Sequence, residues 1–341
     1  MEYDLDKEET AISSESVPLL VELVQSGVMS KPNALLQHFL EDAVRRHTDK
    51  ALFQTTQSSA VNTLLEWCDD FRYLRLRLNA RWGSRSVSPG KKADGLCLFN
   101  GGLRQEGNIA DLVESCRFAN DPEEHSLLSD RIISRLEHEY EHWFEHMQGQ
   151  PVTVSLIQES GVSPHKDHFL DQQLEAVIRA ALKAMRNGWE PVPEIVIANP
   201  GAGDAFRKLR EWVDAVAEQT LWTYYRSLPY RIGVLLSADH CVTAAAAELA
   251  HYTDLLFIDY TQISPDHAEL YNMIKSIRRI RPSMEIWAIL SHVDGNLERA
   301  FQSGVSGIVC HPSEAALFKL KAAQLAIQHN HGGEGRRQVF G

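Results

Sequence analysis

No two cysteines in this chain are spaced as CxxC. The five that occur, Cys68, Cys97, Cys116, Cys241 and Cys310, are scattered and odd in number. That excludes the usual pattern of a structural zinc site or a disulfide framework and suits a reducing, cytoplasmic compartment. No apolar run reaches the length needed to cross a bilayer, so no membrane partner is expected. Positive charge does not predominate either. The formal net charge is -12, which argues against nucleic acid or an anionic membrane surface as a main partner. The opening MEYDLDKEETAISSES lacks the basic start and apolar centre of a signal peptide. It is expected to be a disordered acidic tail over residues 1 to 16. What the chain does have is apolar material: 44% hydrophobic residues over 341 positions, enough for two domains or for one large domain with an appendage.

Two parts separate by pattern. Residues 17 to 83 read as helical. Ser16 can cap a helix with Pro18 in its first turn and Gly27 near its end. A second helix follows Pro32, with Leu35, Leu36, Phe39, Leu40, Ala43 and Val44 on one face. A third is predicted from Ser59 to Trp82, with Gly83 to end it, although its stretch YLRLRLNAR alternates as a strand would. The segment GSRSVSPGKK, residues 84 to 92 with the glycine before them, has a linker's composition. From residue 93 to 328 short apolar strands alternate with helical stretches: GLCLF, PVTVSLI, PEIVIAN, RIGVLLS, DLLFID, MEIWAIL and GIVCHP. Such alternation predicts a parallel sheet, and its length suits a (β/α)8 barrel. One strand, the third, is not evident between Gln158 and Leu170. Residues 329 to 341 read as a disordered tail.

Functional side chains in this fold gather at the C-terminal ends of the strands. Here those ends carry Asn100, Ser155, Gln158, Asn199, Ser237, Asp239, His240, Asp259, His292, Cys310 and His311. Cys310 ends a strand that reads as buried, where a thiol serves either as a small core residue or, if a neighbour sets its pKa, as an acid or nucleophile. His311 adjoins it, but neighbours on a strand point to opposite sides, so His240 and His292 are the better partners for it. Asp239 and His240 could form a polar or metal site with Asp259; Asp239 could equally cap the following helix.

The stretches RIGVLLSADHCVTAAAAELAHYTDLLFIDYTQ and GNLERAFQSGVSGIVCHPSEAALFKLKAAQLA resemble the fifth and sixth strands, and the last strand and helix, of the substrate-binding barrel shared by pyruvate phosphate dikinase, phosphoenolpyruvate synthase and enzyme I of the sugar phosphotransferase system. GLCLF and GQPVTVSLI fall where that family's first two strands would be. The resemblance implies a site that holds phosphate and carboxylate with arginines and chelates Mg²⁺ with acidic side chains. Position by position, most of that site is missing. The first-strand arginine becomes Leu98, the second-strand arginine Ser155, the acidic residue after it Gln158, the fifth-strand metal glutamate Ser237, and the arginine after the last strand Glu314. Asp259 is the candidate survivor of the metal carboxylates, and Cys310 matches the family's cysteine acid at the enolate carbon. Nothing in residues 1 to 90 resembles the family's phosphohistidine domain.

Two further motifs stand apart. His138-Glu139-Tyr140-Glu141-His142 matches HExxH, which on a helix sets two imidazoles on one face with Glu139 as general base. Its helix precedes the strand PVTVSLI, which puts it on the outside of a barrel, where an exposed Glu- and His-rich face is the plainer reading. NPGAG, Asn199 to Gly203, could cradle an anion on backbone N–H groups or simply turn from strand to helix. The cluster RRIRP, Arg278 to Pro282, suits a helix C-terminus.

Three functional expectations follow. The first is a degenerate barrel that has lost the substrate arginines and the Mg²⁺ glutamate and acts in binding or regulation, with a protein partner or as a homodimer. The second is a repurposed enzyme acting on a small carbonyl or carboxylate compound. It would use Cys310, His240, Asp239 and His292 in chemistry, with Asn100, Ser155, Gln158, Asn199, Ser237 and His311 around the substrate. The third is a zinc hydrolase at His138, Glu139 and His142. No cofactor is required by the first reading; Mg²⁺ at Asp259 would belong to the second.

Overall fold

The computed structural model describes residues 65–66, 68–80, 93–99, 107–156, 168–201, 203–224, 227–237, 245–261, 268–293 and 295–331. It divides the chain into two units, residues 1–73 with 313–341, and residues 74–312. The second holds a closed barrel of eight parallel strands in sequence order. The strands are β1 (Arg75–Asn79), β2 (Leu96–Phe99), β3 (Pro151–Leu156), β4 (Val192–Ala198), β5 (Arg231–Leu236), β6 (Leu255–Asp259), β7 (Glu285–Ile289) and β8 (Gly307–Cys310). Between them run α1 (Gly107–Phe118), α2 (Pro122–Met147), α3 (His168–Arg186), α4 (Gly203–Leu221), α5 (Ala245–Tyr252), α6 (Ala268–Ile280) and α7 (Gly295–Ser303), and α8 (Ala315–His331) follows β8 in the first unit. This is a (β/α)8 architecture. No described helix is long and apolar enough to cross a membrane.

The strands read as near-continuous apolar runs because both of their faces are covered, as parallel sheets require. In β6 and β8 every residue but Asp259 is buried. The longest helix, α2, has a local explanation for each end. Asp121 is its N-cap and accepts from the Glu123 N–H at 3.3 Å; Pro122 takes the first turn, where no N–H is needed. Gln148 closes it in the left-handed region at φ 44°, and Gly149 follows at φ 88°. Its core stripe, Leu128, Ile132, Leu136, Tyr140, Trp143, Phe144 and Met147, is buried.

The first strand is where expectation and structure part. The sequence predicts a helix through YLRLRLNAR to Trp82, yet Arg75–Asn79 is β1 and closes the barrel by pairing with both β2 and β8. Residues 65–66 and 68–71 are helical, so the helical assignment holds only before it. The barrel therefore begins at Arg75, not at residue 93, and the missing strand is this one. β3 pairs directly with β4 over six residue pairs, leaving no place between them for a strand from the segment 158–170. GLCLF becomes the second strand and PVTVSLI the third. The transfer of the family's first- and second-strand arginines onto Leu98 and Ser155 rested on counting GLCLF as first, and it falls with that count. The helix after β8 groups with the first unit. The expected tail 329–341 overlaps α8, which runs to His331; its remainder, the tail 1–16, the helices before residue 65 and the linker 84–92 lie outside the described residues.

Within the first unit, Asp69 bridges two cations: Arg72 Nε at 2.6 Å and Lys319 Nζ at 2.8 Å. Burial, with Asp69 beside it, pushes the Cys68 thiol up to about 12.

Candidate functional site

Strand pairing shows which side chains enter the barrel. Arg77 is in register with Val309, and Leu78 with Cys310. Val309 packs in the interior with Cys97, Val196, Leu255, Phe257, Trp287 and Ile289. Registered neighbours on parallel strands share a face, and alternate residues switch it. Arg75, Arg77 and Asn79 therefore face inward, whereas Leu76, Leu78, Ile308 and Cys310 face the helix layer.

The N-terminal half of the interior is charged. Arg77 and Glu194 are 1% and 0% exposed. They pair through two contacts, Nη1 with Oε2 and Nη2 with Oε1, the latter at 3.1 Å. Thr153 Oγ1 donates to Glu194 Oε2 at 2.6 Å and accepts from Arg77 Nη1 at 2.8 Å. Arg231 reaches the other Glu194 oxygen and lies 3.3 Å from Glu285 Oε2. Arg75 donates to Glu285 Oε1 at 3.1 Å. The Trp287 ring lies beneath both cations, 3.9 Å from the Arg77 guanidinium carbon and 4.8 Å from that of Arg75. Gly307 makes room for that ring: a methyl group there would strike it and approach the Arg75 carbonyl oxygen to 2.6 Å.

Burial works against the Arg77 charge, but Glu194 outweighs it and holds the guanidinium above its ordinary pKa. Burial would likewise raise Glu285; Arg231 and Arg75 outweigh it and hold the carboxyl below the usual range. Cys97, wholly buried beside this cluster, has its thiol pushed up to about 12, by burial above all. These groups come from the first or third positions of their strands, at the end of the barrel where residues stabilise instead of catalyse. Sequence reasoning passed over them. Their signal was present, as two Arg in RLRLN and a lone Arg or Glu near the start of PEIVIA, RIGVLL and EIWAI.

Above the charges the interior is aromatic and aliphatic. Phe99 meets Phe257 edge-on at 5.3 Å between ring centroids, and Phe257 stacks on Trp287 at 6.3 Å. At the C-terminal mouth the inward positions are Asn79, Phe99, Ser155, Ala198, Leu235, Asp259, Ile289 and Val309. Ser155 is 6% exposed. Asp259 is half-buried, and its Oδ1 accepts from the Thr261 N–H at 2.9 Å and hydroxyl at 2.6 Å. Asn199, at φ 45°, accepts through Oδ1 from the Ser237 N–H and hydroxyl at 3.0 and 3.3 Å. His292 and His311 are exposed. His311 is one residue past β8, in step with the inward Val309. Cys310, 1% exposed, is in step with the outward Leu78. The structure thus separates the cysteine from the mouth and leaves the histidine beside it. Asn100, Gln158, Asp239 and His240 lie outside the described residues.

The other motifs resolve simply. In NPGAG, Asn199 and Gly201 are at φ 45° and 82°, and the Gly203 N–H is directed at the Glu248 carboxylate at 3.4 Å, so a protein anion already sits there. On α2, His138 is exposed while Tyr140 is buried. His142 and His146 lie 3.9 Å apart between ring centroids, and His146 Nδ1 is 2.7 Å from the His142 carbonyl oxygen. Among the described residues no group of three or more His, Cys, Asp or Glu side chains is arranged to hold a metal. Arg278 donates to the carbonyls of Gly304, Pro282 and Met284 and to the Ser306 hydroxyl. Burial, and Arg75 nearby, lower its pKa.

No family model matches the sequence, and no curated protein matches it. Among solved structures, the chain is similar to a protein described as a phosphonomutase from Burkholderia cenocepacia J2315, at 16% identity and a TM-score of 0.40, over 80% of this chain and all of that one. It is also similar to the tryptophan synthase alpha-subunit of Pyrococcus furiosus, at 12% identity and a TM-score of 0.39, over 76% of this chain and 99% of that one. The barrel assignment rests on the strand pairing above.

Proposed function

We propose that this chain is a barrel protein of the phosphoenolpyruvate-utilising type that has given up phosphoryl transfer and works by binding, as a regulatory or scaffolding partner. One observation carries the reading. Among the described residues the inward positions at the C-terminal mouth include no cation and a single carboxylate, Asp259, whereas every other inward charge sits at the opposite end and is paired there. Transfer of a phosphoryl group needs cations or a metal where negative charge develops. Among the described residues, the inward cations that could answer that need are instead committed to carboxylates about Glu194 and Glu285.

The test is a thermal melt of the full chain with phosphoenolpyruvate, pyruvate or oxalate, each with and without Mg²⁺. A ligand present at about a hundred times its Kd stabilises the fold by about 2.7 kcal/mol, a shift of several degrees. The proposal expects no Mg²⁺-dependent shift with any of the three. A Mg²⁺-dependent shift that Asp259→Asn removes would overturn it in favour of the repurposed enzyme, for which Asp259 Oδ2 and His311 are the groups to assay first.

A further inference from the structure

Arg210 on α4, His251 and Tyr252 at the end of α5, Asp254, and Ile280 with Arg281 at the end of α6 line a pocket of about 340 Å³. That volume is within the range of small-molecule sites. The pocket lies outside the barrel wall. Asp254 immediately precedes β6 and Arg281 lies shortly before β7, so it opens near the N-terminal ends of the strands, away from the mouth.

Its two arginines have a structural task. Both bind carbonyls at the C-terminus of α5: Arg210 Nη1 takes that of Tyr252, and Arg281 Nη1 takes those of Ala250 and Thr253. Cations suit that end of a helix. The two differ in what remains. Arg210 is neutralised by the Asp254 carboxylate at 3.2 Å. Among the described residues Arg281 has only carbonyl dipoles for partners, which satisfy one nitrogen, and no carboxylate pairs with it. A guanidinium has five N–H donors, and no described residue accepts from Nε or Nη2 of Arg281. Beside it, the His251 ring and the Tyr252 hydroxyl make no hydrogen bond with any described residue. An imidazole has an N–H to donate in either tautomer and when charged. Among the described residues, three side chains with unmatched donors, Arg281, His251 and Tyr252, and one cation without a carboxylate therefore line one pocket. Its remaining walls are apolar: Tyr252 is 37% exposed and Ile280 42%.

We infer that this pocket binds an anionic group, phosphate or carboxylate, carried on an apolar or aromatic body. The forked guanidinium of Arg281 meets the oxygens in the geometry such groups favour. His251 and the Tyr252 hydroxyl complete the cage, and the Tyr252 ring with Ile280 covers the body.

The test is isothermal titration of the full chain with phenyl phosphate at low ionic strength, with inorganic phosphate, benzoate and phenol in parallel. We expect saturable one-site binding of phenyl phosphate, without Mg²⁺, tighter than that of inorganic phosphate and absent for phenol; benzoate binding in the same way would identify the shared anion chemistry. His251→Ala is the first variant because its ring makes no hydrogen bond with any described residue, and Tyr252→Leu removes the hydroxyl while keeping the backbone carbonyl that Arg210 caps. Each should weaken phenyl phosphate at least tenfold with an unchanged melting temperature. The inference is overturned if neither anion gives saturable heat, or if both variants bind as the parent does, which would locate the ligand elsewhere. It is also independent of the mouth: a shift with phosphoenolpyruvate that ignores Mg²⁺ and vanishes in His251→Ala belongs to this pocket.

Discussion

Replacing Glu194 by Gln tests the account of the barrel interior most directly. Glu194 is fully buried and meets three groups: Arg77 twice, Thr153 once and Arg231 once. Glutamine keeps the shape but presents one NH2 to a site already crowded with donors, and it removes the charge. Arg77, itself 1% exposed, is then left with Glu285, whose Oε2 is 3.8 Å away. Removing one partner of a buried ion pair costs about 3–5 kcal/mol. The Trp287 face under Arg77 survives the change and offsets part of that, as a desolvated cation–π contact can contribute about 2 kcal/mol. The expected loss is therefore at the lower end, about 3 kcal/mol in urea denaturation. At about 2–4 °C per kcal/mol for a unit of this size, that is a drop of about 6–12 °C in Tm. The paired variant Arg77→Met with Glu194→Leu should recover most of the loss, because a buried pair can often be exchanged for apolar side chains at little cost. A loss below about 1 kcal/mol for Glu194→Gln, on the ordinary scale of surface changes, would refute the reasoning. So would a paired variant as unstable as the single one.

Three other predictions come from the same interior. Glu285 has a folded pKa below its unfolded value, so the stability it contributes is complete above the unfolded pKa and is lost as pH falls through the folded one. Tm should decline from about pH 5 downward, and Glu285→Gln should make that decline shallower; an identical acid profile would contradict the assignment. The Cys97 thiol, held up to about 12, stays protonated and shielded at neutral pH. Mass spectrometry after exposure to iodoacetamide should find Cys97 unmodified in the native protein and labelled in denaturant, and rapid native labelling would rule the placement out. Gly307→Ala should cost about 1–3 kcal/mol by overpacking, since its methyl group meets the Trp287 ring and the Arg75 backbone; urea denaturation indistinguishable from the parent would mean that the ring does not lie there.

Seven of the eight strands were legible in the sequence because parallel strands buried on both faces show as short apolar runs. The eighth was misread for a physical reason. In RLRLN the leucines turn outward to the helix layer and the arginines turn inward, the reverse of what burial predicts for a strand facing a core. Nothing local shows that Glu194, Thr153, Arg231 and Glu285 wait inside to meet those arginines, since they come from strands more than seventy residues away. The same parity decides what GVSGIVCHP means. Val309 enters the barrel, so Cys310 must leave it, and the thiol that ends β8 is buried on the outer wall in register with Leu78. A chemistry built on the cysteine would need the strand to slip by one residue. That slip would also expel Val309 and break the register of Arg77, whose charge has no other place to be neutralised. The ion network at one end of the barrel thus holds the thiol away from the mouth at the other.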